Sequence, residues 1–333
     1  MASTALPQPP PAADTRPGAS SGSRAGLLAV LAVLVTMTFW ASSFVAIRYV
    51  GPHLSPGPLA LIRVVVATAV LAPFVLRRGL AVPRGRGWLL VGSYAALWMA
   101  LYSVVLNAAE HHLDAGTAAM LVNVAPILVT LWVGFVQRAG FTVPLVAGLV
   151  VAFSGVGIIA LGAEDTQRDL TGVLLGLLAA TLYAAGVLLQ KGALRTIDPL
   201  SATWWGTALG SVALVFYVPS TVVEVAAAPT GAVLAAVYMG VFSTAVAFSL
   251  WAYALRRVDA ARLSLSSYLV PAIAVLLSWA LLAEVPTVHG MVGGSLCLVG
   301  VAVSRLRGGR RGPAGRAGQR RISAKAPQPR NSR

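Results

Sequence analysis

From residue 26 to residue 305 the chain is a succession of apolar runs, each about twenty residues long and nearly free of charge. A bilayer's hydrocarbon core is about 30 Å thick, and a helix needs about 20 apolar residues to cross it. The runs fall near 26–49, 58–76, 87–108, 115–135, 142–161, 170–191, 202–222, 230–254, 262–282 and 287–305. They are continuous rather than alternating, which argues against β-barrel strands. Helices pair their backbone polar groups within each segment, as hydrocarbon demands. The expected fold is all-α and membrane-embedded, with ten transmembrane helices. Composition agrees: 57% hydrophobic and 11% charged residues leave too little polar surface to cover a soluble core of this length. The single Cys297 rules out an intrachain disulfide framework.

A net charge of +15 would suggest a nucleic-acid partner if it were spread over the chain. It is not: residues 305–333 hold ten Lys or Arg and no acid. Such a tail beside a membrane helix reads as a topology signal and a contact for anionic lipids, and no nucleic-acid partner is expected. Residues 1–25 are rich in Pro, Ala, Ser and Gly and should be disordered, as should the basic tail 306–333. The first apolar run follows Arg16 and Arg24 but continues to Val50, so it reads as a retained helix rather than a cleaved signal.

Loop charges set the orientation. With the N-terminus inside, segments on the inner side carry 22 basic residues, among them Arg77, Arg78, Lys191, Arg256 and Arg257, against Arg48 and Arg168 outside. Both termini are therefore expected in the cytoplasm, in a multi-pass protein of the cell (inner or plasma) membrane. The acids Glu110, Asp114, Glu224 and Glu284 fall on the outer side.

The halves match at an offset of 145: Leu113-Asp114-Ala115 on Val258-Asp259-Ala260, Pro126 on Pro271, and Gly148 and Gly155 on Gly293 and Gly300. In the first helices, Trp40 and Arg48 fall on Tyr183 and Lys191 at an offset of 143. Each unit (26–161 and 170–305) holds an odd number of helices, five, so the second copy enters the membrane upside down. Inverted repeats of this kind are an architecture of secondary transporters.

Trp40-Ala41-Ser42-Ser43-Phe44-Val45-Ala46-Ile47-Arg48 is close to a W-G-x-x-F-x-x-x-[KR] signature, with Ala41 for the usual Gly. Pro58 and Arg63 follow in the second helix, and Ala118 to Pro126 ends a small-residue stretch in a proline. Leu282-Ala283-Glu284-Val285-Pro286-Thr287 with Gly293 and Gly300 makes an L-G-E-x-[LP]-[ST]-like turn and glycine helix, whose acid is Ala139 in the first repeat. In this order and spacing the chain resembles the EamA family of the drug/metabolite transporter superfamily. The resemblance implies a ten-helix basket with a central cavity, alternating access, and passage of amino acids, nucleobase-like metabolites or amphipathic drugs.

Several residues stand out as pathway candidates. Arg63 lies inside the second span, where a charge is costly and usually functional, though it could also snorkel to headgroups. Trp40, Trp98, Tyr183 and Tyr268 fall nearer mid-span than the belt aromatics and could face a solute. Ser43 and Tyr102 are grouped with them, as is Asn123, one turn before Pro126. Pro126 and Pro271 should kink their helices, freeing the carbonyls of Val122 and Ser267. Glu284 ends a span and could hold a gate, while Asp114 and Asp259 stand where N-caps belong. Gly172/Gly176, Gly206/Gly210 and Gly290/Gly294 read as close-packing pairs. Glu110-His111-His112 lacks metal-ligand spacing, so no metal and no cofactor are expected.

The function expected is secondary transport, export first, of a small-molecule substrate. A membrane-embedded enzyme and a non-transporting receptor or scaffold are the alternatives, and a homo-oligomer is left open. No acid is expected deep in a span, which argues against a buried proton relay. Facilitated diffusion and proton coupling through Glu110 or Glu284 both stay open.

Overall fold

The protein is described by a computed structural model covering residues 20–136, 143–161, 166–258, 260–284 and 286–304. Among these residues only helices and turns occur, so the all-helical expectation holds. The expected disorder of 306–333, the cap at Asp259 and most of the N-terminal tail lie outside them. Helix α1 (Ser20–Val50) begins ahead of the expected boundary at residue 26.

The first half continues with α2 (Pro56–Arg78), then α3 (Arg86–Tyr94), which runs through a π-helical stretch (Ala95–Tyr102) into α4 (Ser103–Ala109). Next come α5 (Ala115–Val122), α6 (Ala125–Val136) and α7 (Val143–Leu161). The second half holds α8 (Thr166–Ala193), α9 (Pro199–Ala213), α10 (Val218–Ala227) and α11 (Thr230–Tyr238). A second π-helical stretch (Met239–Val246) joins α11 to α12 (Ala247–Arg257). Then α13 (Ala260–Leu263) and a 3-10 stretch (Ser264–Tyr268) lead to α14 (Leu269–Leu282) and α15 (Val288–Ser304).

Six stretches are long and apolar enough to cross a bilayer: Val30–Val50, Pro56–Arg78, Arg86–Ala109, Ala115–Trp132, Leu170–Ala193 and Thr230–Arg257. A seventh is the pair α9 and α10, bent by 54° at Leu214. Val143–Ile159, Ser266–Leu282 and Val288–Ser304 are apolar but shorter, and occupy the places of the expected fifth, ninth and tenth spans. Large side chains such as Leu89 and Phe135 stand about 70% exposed on the outside of the bundle, as lipid contact requires.

The two halves repeat each other in detail. Both π-helical stretches lie at equivalent positions of the third span. At one end of the bundle the Arg48 Nη1 donates to the Glu110 carbonyl, 3.0 Å, closing the C-terminus of α4. At the other end Lys191 Nζ donates to the carbonyls of Leu255 and Val258, closing α12. Leu255 is Glu110 plus 145, so the two clamps are symmetry copies on opposite ends. The helices α7 and α15 pack face to face, with Gly148 against the Gly300 carbonyl and Gly155 against that of Gly293. A Cβ at any of these four glycines would collide with the partner's backbone, the close approach that small-residue interfaces permit.

Asp114 caps α5, accepting from the Thr117 amide (2.8 Å) and hydroxyl (2.6 Å). Asp198 does the same for α9 from Leu200 and Ser201. Ser55, at the matching place before α2, makes no such cap. Its amide and hydroxyl instead donate to Glu224 of α10, each at 2.7 Å, tying the halves together. Glu224, Glu110 and Glu284 thus mark an acidic end. Arg78, Arg256 and Arg257 gather beside Asp198 at the basic end.

Candidate functional site

The site forms where both repeats break their helices. Proline lacks an amide proton and crowds the carbonyl four residues back. At Pro126 the helix opens into a turn at Asn123 and Val124, between α5 and α6. Before Pro271 it tightens into the 3-10 stretch Ser264–Tyr268. Residues at these two breaks face a small cavity at the interface of the repeats. Its wall takes Trp40, Ser43 and Phe44 from α1, and Arg63 from α2. Trp98, Tyr102 and Leu106 come from the third span, Val122 and Asn123 from the first break. Tyr183, Phe248, Ser267 and Val270 complete it from the second repeat.

The aromatic part is a cluster of edge-to-face and tilted ring pairs, arrangements that ring quadrupoles favour over a face-to-face stack. Trp98 lies 5.1 Å from both Tyr183 and Phe248, and Trp40 lies 5.3 Å from Phe248 and 5.0 Å from Trp251. Gly186 makes room for it, since a Cβ there would run into the Trp98 indole. The remaining space is about 30 Å³. That holds a water or two and is far below the ~300 Å³ of a small-molecule pocket. The chamber as it stands is therefore too small for a small-molecule ligand.

Polar groups in this wall are left without protein partners. They are the Nε1 atoms of Trp40 and Trp98, Asn123 Oδ1 and Arg63 Nε. Buried polar atoms are nearly always paired, so an unpaired set converging on one cavity marks a place for ligand or water. Arg63 is only 4% exposed and does not snorkel. Its Nη1 donates to Asn107 Oδ1 at 3.3 Å, and Asn107 is held by the Pro56 carbonyl at 3.0 Å. The Tyr183 hydroxyl lies near the Ser267 side chain, both from the second repeat.

Beyond Arg63, at the acidic end, lies Glu110. It is 2% exposed, and neither carboxylate oxygen has a hydrogen-bond partner. Burial pushes its carboxyl well above the usual range, against the pull of Arg63 and Arg48. Glu110 stands just past the apolar run and outside the span, yet the bundle buries it. Glu284 accepts from Arg48 Nε at 2.8 Å and from the Ser278 hydroxyl at 3.2 Å, an ion pair joining α1 to the end of α14.

Of the pathway candidates, Trp40, Ser43, Arg63, Trp98, Tyr102, Asn123 and Tyr183 line the cavity. Tyr268 does not: it packs toward Ile127, Leu145, Ala152 and Val301, and Ser267 takes the inward place. The 3-10 stretch shifts the helical phase there, which mid-span position does not reveal. Phe44, Leu106, Phe248 and Asn107 were missed as pathway residues, and Glu110 was named only as an acid that could couple protons. Phe248 was legible through the repeat, since the third-span face that supplies Trp98 and Tyr102 recurs near 243–248. Among the described residues no three His, Cys, Asp or Glu gather as a metal site.

With this geometry in hand, comparison with known proteins is informative. The EamA-like transporter family matches the chain twice, over 27–161 and 170–306. A probable terminal-alkyne amino-acid exporter of Streptantibioticus cattleyicolor is 33% identical, over 88% of this chain and 98% of its own length. The uncharacterized transporter YdfC of Bacillus subtilis is 30% identical over 80% of this chain and 88% of its own. A crystal structure shares the fold with a TM-score of 0.57 at 20% identity, covering 86% of this chain and 98% of that one.

Proposed function

Because the chain belongs to the EamA-like transporter family, we propose that it is a secondary exporter of small amino-acid-like solutes, working by alternating access with its acidic end outward. The observation that carries this reading is the aromatic chamber with the buried guanidinium of Arg63 at its edge, set between the two repeats. A guanidinium with an unpaired Nε suits a carboxylate, and the rings of Trp40, Trp98 and Tyr183 suit an apolar side chain. The name of the Streptantibioticus relative supports the same class.

The symmetry supports alternating access. The chamber is closed at the acidic end by Arg48–Glu284 and Ser55–Glu224. At the basic end Trp205 donates to the Ala81 carbonyl (3.1 Å) and the Ala81 amide donates to Ser201 (3.2 Å), again across the repeats. Releasing either set opens one side, and inverted repeats make the two openings near-equivalent. The basic loops at the other end support a cytoplasmic position for it.

The test is counterflow in proteoliposomes holding the full chain. Vesicles loaded with unlabelled L-propargylglycine, L-phenylalanine, L-methionine or L-alanine would be diluted into the labelled solute. Wild type should concentrate at least one label transiently, and Arg63→Ala should not. A wild type that exchanges none of the four removes the amino-acid reading.

A further inference from the structure

Among the acids whose side chains are described, Glu110 is the one whose placement the transport proposal leaves unused. Glu284 is held by Arg48 and Ser278, Glu224 by Ser55, Asp114 by Thr117 and Asp198 by two backbone amides. Glu110 is deeper than any of these and has both carboxylate oxygens bare. Arg48 reaches it but binds its backbone carbonyl.

Position ties it to the chamber. Tyr102, Leu106 and Glu110 are spaced by four and share one helix face, and the first two line the cavity. Glu110 is therefore one turn, about 6 Å along the axis, beyond the chamber wall. Arg63 bridges the gap: it lines the cavity and binds Asn107 on the intervening turn. Arg63 is also the strongest counter-charge felt by Glu110. The other titratable groups facing Glu110 are Arg48 on α1, Tyr102 on its own span, Asp114 at the start of α5 and Glu284 after α14. A buried guanidinium and a bare carboxyl that feel each other without an ion pair between them match the two charged ends of a zwitterion.

We propose that Glu110 is the proton-binding group of the transport cycle, exchanging its proton for the ammonium of a zwitterionic solute whose carboxylate rests on Arg63. The inference rests on the amino-acid reading of the cavity. Open to the cytoplasm, the Glu110 carboxyl gives up its proton and the carboxylate accepts the solute's ammonium. Open to the outside, a proton from the medium adds to the carboxylate and the ammonium leaves. One proton enters for each solute exported. The zwitterion carries no net charge, so one positive charge moves inward per cycle. Export is then driven by both the pH gradient and the membrane potential.

The experiment uses the same proteoliposomes with L-propargylglycine, or whichever of the four solutes wild type exchanges. At a fixed potential, each unit of imposed pH gradient should raise the steady-state solute ratio about tenfold for one-to-one exchange. An interior pH dye should report proton movement opposite to the solute. Glu110→Gln should lose the gradient response, keep solute exchange at a raised KM, and show no solute-linked proton movement. Glu110→Asp should regain part of the gradient response. Gradient-driven accumulation that survives in Glu110→Gln overturns the proposal, as does wild-type exchange indifferent to the gradient. Wild type that exchanges no amino acid at all fails at the earlier reading and takes this one with it. Should Glu110→Gln not reach the membrane, infrared titration of Glu110→Asp decides. A carboxyl band displaced from the wild-type position supports the assignment, and an unmoved band overturns it.

Discussion

Arg63 carries a permanent charge into a bundle where its described hydrogen bond is to a single amide. Such burial is costly, and in membrane spans it marks function more often than stability. If the guanidinium holds a substrate carboxylate, losing it removes a charge-assisted bond of ~1.5–3 kcal/mol. Arg63→Ala should then raise the KM of exchange about 10- to 100-fold. Arg63→Lys, which keeps the charge but not the fork, should fall between, as labelled-solute counterflow would show. Gly186 offers a test of the aromatic wall. Gly186→Val should push the Trp98 indole from its place against Tyr183 and Phe248. Transport should fall with little loss of membrane abundance, and the quenching of tryptophan fluorescence by solute should change with it. Trp40, Trp98 and Tyr183 were legible in the sequence because large aromatics far from span ends have few places to go except a shared interior. Glu110 was legible as an acid that could couple protons, but its burial was not, because hydropathy cannot tell a helix end covered by other helices from one in headgroups.

Among elements, the repeat predicted more than the periodicity did. The pairing of Gly148 and Gly155 with Gly293 and Gly300 was visible as an offset, and the structure turns it into a reciprocal interface between α7 and α15. The π-helical stretches were invisible, since no residue pattern announces an extra residue per turn. Such stretches are frequent at functional sites, and here one of them presents Trp98 and Tyr102 to the cavity. The bend at Leu214 also had no forewarning in hydropathy, which reads α9 and α10 as one run. The glycine interface makes a stability prediction with an internal control. Gly155→Leu places a side chain into the Gly293 backbone, while a Cβ at Gly157 meets nothing within 4 Å. Overpacking of this kind costs about 1–3 kcal/mol or more. Gly155→Leu should therefore lower the Tm of the solubilised protein and its yield. Gly157→Ala should leave both near wild type, or raise the Tm slightly through helix propensity.

On the scale of the molecule, the proposed alternating access asks the two ends of the inverted repeat to open in turn, but the two ends are not chemically alike. The acidic end is pinned across the repeats by Arg48 and Glu284, and the first repeat has Ala139 where the second has Glu284. That asymmetry was readable in the sequence; what the acid holds was not, because Arg48 and Glu284 are brought together only by the packing of α1 against α14. Both side chains are partly exposed, at 37% and 23%, so the pair contributes little to folding, on the order of 0–1 kcal/mol. A contribution of that size is still enough to bias two conformations of similar energy, since 1.4 kcal/mol is a tenfold shift in population. Glu284→Gln should therefore fold normally and favour the state open at the acidic end. Ser43 lines the chamber, and the native Cys297 is buried between α7 and α15. In intact cells a Ser43→Cys variant should react with a membrane-impermeant maleimide several times faster when Glu284→Gln is added. Restoring an acid with Glu284→Asp should slow it again. Equal labelling rates in the two backgrounds would remove the ion pair from the gate and leave the acidic end closed by Ser55 and Glu224 alone.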